Sequence, residues 1–199
     1  MSTKQEILGN ALSLFAQRGY DGVSVRDIAR SVGIKESSIY NHYSSKQSIL
    51  DGICAQFIET LHASRPSLAE VERLMGDMRP TELFLRLISS YGSKINPQIT
   101  QMAKVMFGEQ FHDEAVHAIF EREFIQNNVN YYVEVLSMME GKKLIVPCDK
   151  PVVANLFNNE QMLLSFQFSC CETDDGRDRL RNLMRLSAEY IFRPLEATE

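Results

Sequence analysis

The sequence predicts an all-α protein in two parts, a small three-helix domain at the N-terminus and a larger helical domain after it. Three observations carry this. Almost every periodic window spaces its apolar residues three and four apart, and no convincing run alternates apolar with polar residues. Glycines and prolines recur at intervals that cut the chain into helix-sized segments. Charge is also divided: residues 1–50 hold six Lys/Arg against four Asp/Glu and residues 51–199 fifteen against twenty-two, although the chain as a whole carries −5. A mildly basic head on an acidic body is the charge pattern of a nucleic-acid-binding module joined to a second module.

Helix 1 is predicted over Lys4–Arg18, with Ile7, Ala11, Leu14 and Phe15 on one face, and it stops at Gly19. Tyr20–Val23 is then a loop. Helix 2 begins at Ser24, whose hydroxyl can cap free amides while Asp27, three residues on, reaches back; it ends at Gly33. Helix 3 is predicted over Glu36–Tyr43, and a second capping signal, Ser44-Ser45-Lys46-Gln47, opens helix 4, which runs towards Leu61 and is closed by Pro66. Beyond it the breakers leave helices at about 67–75, 81–91, 98–107, 113–140, 152–171 and 176–192. The domain boundary is placed between residues 46 and 47, giving domains 1–46 and 47–199.

Composition narrows the function classes. With 44% hydrophobic and 24% charged residues the chain reads as an ordinary globular protein. No stretch approaches the roughly 20 apolar residues of a membrane-spanning helix. Residues 1–18 mix acid with base and lack the apolar block of a signal peptide, so a cytoplasmic location is expected. Cys54, Cys148, Cys170 and Cys171 show no C-x-x-C spacing and are expected as free thiols. No Ser-His-Asp set, Gly-rich phosphate loop or nucleotide motif is visible; the expectation is a chain with no catalytic residue, metal or cofactor.

The strongest constellation is the run from Ser24 to Tyr40. Two helices crossing steeply over a tight turn need a small residue where the backbones meet, which Ala29 supplies. They also need a residue tolerant of positive φ at the turn, which Gly33 supplies four positions later. Ile28, Val32, Ile34 and Ile39 fill the wedge between the pair and helix 1. That packing leaves Lys35, Ser37, Ser38, Asn41 and His42 on the outer face of helix 3, polar groups of the kind that meet base edges and phosphates. The same spacing also suits a plain helical hairpin with a solvated face.

Residues 4–52 resemble, without a gap, the DNA-binding domain of the TetR (tetracycline repressor-like) family. The resemblance is carried by Phe15-Ala16-Gln17-Arg18-Gly19-Tyr20, Val25-Arg26-Asp27-Ile28-Ala29, Val32-Gly33-Ile34, Ile39-Tyr40-Asn41-His42-Tyr43 and Ser45-Lys46-Gln47-Ser48-Ile49-Leu50. It implies a helix-turn-helix head in which Ser24 and Arg26 meet phosphates and Tyr40 and Lys46 touch the DNA backbone. Ser37, Ser38 and Asn41 would approach base edges, and His42 could serve either purpose. Two positions depart from the family's pattern: Tyr43 replaces the commoner Phe, and Glu36 stands where Lys is frequent, which bears on affinity. The remaining residues resemble the family only in being helical and of the right length.

The full expectation is a sequence-specific DNA-binding transcriptional regulator, a repressor released from a palindromic operator by a small, largely apolar or aromatic effector. It would act as a homodimer through its last two helices, where Leu156, Phe157, Leu163, Leu164, Phe166 and Phe168 face Leu180, Leu183, Met184, Ser187, Tyr190 and Ile191. The same stripes could be intrachain core. The middle helices are rich in aromatic residues and methionine, and the effector is expected among Phe84, Leu87, Tyr91, Met102, Met106, Phe107, Phe120, Phe124, Asn127, Tyr131, Met162 and Phe166, with Gln101 and Asn128 as further polar candidates. Effector binding would shift helix 4 and spoil the spacing of the two heads. Two rival readings stand beside it: a thiol-based redox-responsive regulator built on Cys170 and Cys171, and a helical metal-binding enzyme built on Glu109-x-x-His112 and Glu114-x-x-His117.

Overall fold

A computed structural model of the chain describes residues 2–92 and 96–197, the side chains of residues 90–92 excepted. Eleven α-helices are found among the described residues, in two compact units: residues 1–62 with 95–120, and residues 63–94 with 121–199.

The first unit holds α1 (Thr3–Arg18), α2 (Val25–Val32), α3 (Glu36–Ile39), nearly all of α4 (Lys46–Ser64), α7 (Pro97–Glu109) and α8 (Glu114–Phe120). Ile7, Ala11, Leu12 and Phe15 of α1 are buried with Ile28 and Ala29 of α2, Ile39 and Tyr43. Each helix start is written locally. Ser2 and Ser24 both cap with reciprocal bonds to the third residue of the following helix, Gln5 and Asp27. The stop of α2 is equally local. Gly33 takes the left-handed conformation (φ 78°, ψ 27°), its amide bonds the Arg30 carbonyl, and the Ile34 amide bonds that of Ala29, which satisfies two terminal carbonyls.

Three details differ from the sequence reading. α3 is one turn long, because after Ile39 the chain goes into turns instead of continuing to Tyr43. The cap of α4 is the reciprocal pair Ser45 and Ser48, each amide donating to the other's hydroxyl at 3.1 Å, so Gln47 is released for other partners. The single helix expected over 113–140 is instead α8, a π-helical turn over Glu121–Gln126, and α9 (Asn127–Gly141).

The second unit contains α5 (Leu68–Leu74), α6 (Pro80–Gly92), α9, α10 (Lys150–Cys170) and α11 (Asp174–Phe192). Its centre is aromatic. Phe84 stacks on Phe192 with centroids 3.5 Å apart, and Phe157 meets both edge-on. The C-terminal segment is pinned to this unit through an isolated bridge between Ile145 and Glu196, and the Glu196 carboxylate accepts the Thr81 amide at 3.1 Å.

Candidate nucleic-acid interface

The candidate surface is built on two corners of the first unit. At the first, the Ser24 hydroxyl accepts the Asp27 amide at 3.1 Å, while Asp27 Oδ2 accepts the Ser24 amide at 3.0 Å and its hydroxyl at 2.6 Å. These bonds, aided by Arg18 and Arg30 at 3.8 and 3.7 Å, hold the Asp27 carboxyl below the usual carboxylate range. The amides of Val25 and Arg26 lie outside the capping box, at the end of a helix where the backbone dipole favours an anion.

The second corner is the segment 35–42. Lys35, Glu36, Ser37, Tyr40, Asn41 and His42 are exposed, and Ser38 is half-buried. Ile39 and Tyr43 anchor this segment in the core, the Tyr43 hydroxyl donating to the Lys4 carbonyl at 3.3 Å. Among the described residues, the side chains of Arg26, Lys35, Ser37, Ser38, Tyr40, Asn41 and His42 make no hydrogen bond or ion pair, so this polar face is chemically uncommitted. Glu36 shares it, at the first turn of α3 where a carboxylate complements the helix dipole.

Lys46 is different. Its ammonium, which the family resemblance sets against the DNA backbone, donates to the carbonyls of Tyr20 at 3.0 Å and Val23 at 3.1 Å and lies 3.9 Å from the Tyr20 ring centroid. It therefore ties down the loop that leads into Ser24.

Four residues that the sequence did not assign to the interface join this tie. The Tyr20 hydroxyl donates to Gln47 Oε1 at 2.9 Å, and Gln47 Nε2 donates to Asp113 at 2.9 Å and Asp51 at 3.2 Å. Glu109 accepts the Tyr20 amide at 3.2 Å. Burial, then the nearby Asp113, Asp21, Asp51 and Glu109, push the Tyr20 phenol above its ordinary range, so it is a donor at neutral pH. In the sequence, Tyr20 and Gln47 stand out only as members of the Phe15–Tyr20 and Ser45–Leu50 segments and Glu109 only in the metal reading; Asp51 and Asp113 carry no signal.

The expected effector residues fall in both units. Met102, Met106, Phe107 and Phe120 belong to the first, where the rings of Phe107 and Phe120 meet edge-on at 5.1 Å. Phe84, Leu87, Phe124, Asn127, Tyr131, Met162 and Phe166 belong to the second. Phe84 and Leu87 are fully buried there. Asn127 donates to Glu123 at 2.8 Å, and the Tyr131 hydroxyl donates to the Pro66 carbonyl at 3.0 Å. The side chain of Tyr91 lies outside the described residues.

On the last two helices the apolar stripe is split. Phe157, Leu164 and Leu180 are buried within the chain, whereas Leu156, Leu163, Leu183, Leu186 and Tyr190 are exposed. For the rival readings, Glu109 is engaged by the Tyr20 amide, and no three His, Cys, Asp or Glu side chains among the described residues are grouped to hold a metal. Cys170 is exposed and Cys171 half-buried, both free thiols. No helix among the described residues is long and apolar enough to cross a membrane.

Comparison with known proteins places this geometry. The family pattern described as bacterial regulatory proteins, tetR family, matches residues 7–53. The biofilm operon icaADBC HTH-type negative transcriptional regulator IcaR of Staphylococcus aureus (strain Newman) is 50% identical over 48 residues, 24% of this chain and 26% of that protein. Its counterpart in Staphylococcus epidermidis is 48% identical over 46 residues, 23% of this chain and 25% of the relative. The chain thus spans about a quarter of the length of the curated relatives it matches. In fold the likeness is nearly complete. A ketosteroid transcriptional regulator of Mycobacterium tuberculosis superposes with a TM-score of 0.68 at 21% identity, covering 99% of this chain and 96% of the other. AibR, solved with isovaleryl coenzyme A and operator DNA, gives 0.69 at 20% identity, covering 98% and 100%. Residues 7–53 are thus similar in sequence to the DNA-binding head of tetR-family regulators, and the chain as a whole shares the fold of solved transcriptional regulators.

Proposed function

We propose that the protein is a sequence-specific DNA-binding repressor, acting in the cytoplasm as a homodimer and released from a palindromic operator by a small ligand. The observation that carries the reading is the uncommitted polar face of residues 35–42, together with the capped N-terminus of α2 in the same unit. Ser37, Ser38 and Asn41 are short enough to reach base edges, while Arg26, Lys35, Tyr40 and the α2 amides suit phosphates. His42 serves either purpose. The reading head is residues 1–46, with 47–199 for effector and dimer. Negative regulation follows from likeness of the head to IcaR, which is named a negative regulator.

A single short recognition segment reads too few bases for high specificity. Two copies with their heads about 34–36 Å apart would read a dyad-symmetric site. The exposed leucines of α10 and α11 are the surface we assign to that pairing. We assign the effector to the second unit, among Phe124, Asn127, Tyr131, Met162 and Phe166, which offer apolar walls with amide and phenol groups. A ligand that prefers the conformation unfit for DNA by about 1–3 kcal/mol is enough to lower occupancy several-fold or more.

Nuclease footprinting on the DNA flanking the gene, repeated over a range of salt, tests the reading. Protection of a dyad-symmetric site whose affinity falls steeply with salt is expected; protection of no site above the non-specific background overturns it.

A further inference from the structure

We infer that Gln47 is a positioning residue for DNA binding: it joins the corner between α7 and α8 to the loop that sets the phosphate-facing end of α2. The inference rests on the DNA-binding role proposed above, and every residue it uses lies in the first unit.

The chain of contacts is unbroken. Asp113 caps α8, its Oδ1 accepting the amides of Ala115 and Val116 at 2.8 and 3.0 Å. Its other oxygen accepts Gln47 Nε2 at 2.9 Å. Gln47 Oε1 in turn accepts the Tyr20 hydroxyl at 2.9 Å, and the Tyr20 ring lies under the Lys46 ammonium. Lys46 holds the carbonyls of Tyr20 and Val23, and Val23 directly precedes Ser24, the cap of α2. A second strand runs in parallel, from Glu109 at the end of α7 to the Tyr20 amide. None of Gln47, Asp113 or Glu109 belongs to the uncommitted polar face of residues 35–42, yet together they fix where α2 begins.

The amide is chemically required at this point. Gln47 faces the carboxylates of Asp51 and Asp113 with its NH2 and a phenol donor with its carbonyl, so it must both donate and accept. A carboxylate there would confront two acids, and an aliphatic side chain would leave Tyr20 and Asp113 unconnected. Asp113, by contrast, can exchange its carboxylate for an amide and still cap α8, since Asn is as good a cap as Asp. That permits a swap of donor and acceptor between the two positions.

The test uses the full chain and a DNA duplex selected by the wild-type protein from a random pool, with circular dichroism and thermal unfolding confirming that each variant folds. Gln47→Ala is expected to lower affinity for this duplex about tenfold, the loss of a hydrogen-bonded link to a charged group. Phosphate-ethylation interference should weaken at the phosphates contacted by the α2 end and persist elsewhere. Gln47→Glu should lose more, and adding Asp113→Asn to it should restore at least half of that loss on a logarithmic scale. Gln47→Ala binding within twofold of wild type, a uniform change in the interference pattern, or a double variant no better than Gln47→Glu would each overturn the inference. Should the wild-type protein select no duplex at all, the repressor reading itself would be at fault.

Discussion

The Lys46 ammonium lies 3.9 Å from the centre of the Tyr20 ring and donates to the Tyr20 and Val23 carbonyls. A cation placed in this way is half-buried and shared among three acceptors, so its substitution is expected to act on DNA binding through the loop it holds. Tyr40, 51% exposed, has no such internal duty.

The two residues are therefore expected to separate stability from binding. Lys46→Ala should lower both unfolding free energy, by about 1–2 kcal/mol, and DNA affinity. Tyr40→Ala should lower affinity with stability within about 0.5 kcal/mol of wild type. Urea unfolding alongside a fluorescence titration with operator DNA measures both. Equal destabilisation by the two substitutions would contradict the arrangement.

Ser24 and Asp27 give a second expectation. Ser24→Ala removes the hydroxyl that caps α2 and should cost about 0.5–2 kcal/mol. The same pair sets a pH dependence. Because the Ser24 hydrogen bonds, with Arg18 and Arg30, lower the Asp27 pKa in the folded chain, its contribution is present above the unfolded value of 3.8 and lost as pH falls through the folded one. Urea midpoints of wild type and Ser24→Ala should therefore lie closer together at low pH than at neutral pH.

Burial of a polar group without its partner gives a third. Gln161 is buried on α10; its NH2 reaches the Ser187 hydroxyl at 3.4 Å, and Ser187 in turn donates to the Met184 carbonyl. Ser187 can then only accept, which turns Gln161 Oε1 away from it, and that oxygen is buried with no hydrogen-bond partner among the described residues. Gln161→Leu should stabilise the fold by about 1 kcal/mol, since an unsatisfied buried acceptor costs about 1–3 kcal/mol. A lower urea midpoint for Gln161→Leu would show that the acceptor is satisfied.

Cysteine chemistry separates by burial. Desolvation, then Asp51 and Asp113, push the Cys54 thiol up to about 12, so it stays protonated at neutral pH. Cys170 is exposed. Iodoacetamide at pH 8 should alkylate Cys170 in the native protein and reach Cys54 only after denaturation, as peptide mass mapping would record. The shift also has a sign for stability: the contribution is complete below the unfolded thiol's value of 9.0 and is lost as pH rises towards 12. Rapid native labelling of Cys54 would contradict its placement.

What was legible in the sequence was local. The caps at Ser24 and Gly33, the small residue at Ala29 and three of the four buried residues of α1 (Ile7, Ala11 and Phe15) each depend on neighbours within one or two turns and are legible from spacing alone, whereas Leu12 is buried where spacing points to Leu14, which is half-buried. The sequence overstates the length of α3 because apolar spacing continues to Tyr43, which is buried although the backbone there has left the helix. The π-helical turn at Glu121–Gln126 leaves an apolar pattern close enough to an α-helix that a single helix was expected. The ties of Tyr20 were out of reach for a different reason. Its partners Gln47 and Glu109 lie 27 and 89 residues away, and no periodicity links positions that far apart. For the same reason spacing gives no sign of the Tyr20 and Val23 carbonyls around Lys46, which only the folded loop brings to it.

The exposed stripe supplies the last expectation. Leu156 and Leu163 of α10 are 59% and 55% exposed, and Leu183 and Tyr190 of α11 are 45% and 84% exposed, while their neighbours Phe157, Leu164 and Leu180 are buried. One face of each helix is thus used within the chain and the other presents large apolar groups to water. Fully burying a leucine contributes about 1.5–3 kcal/mol, so a symmetric contact that covers half of each exposed side chain, counted twice, reaches several kcal/mol. Leu156→Asp with Leu163→Asp should halve the mass measured by sedimentation equilibrium at micromolar concentration while helix content is retained. Operator affinity should fall with it, because a lone head meets only one half-site. A doubly substituted chain that still sediments as a dimer would move the pairing surface away from α10.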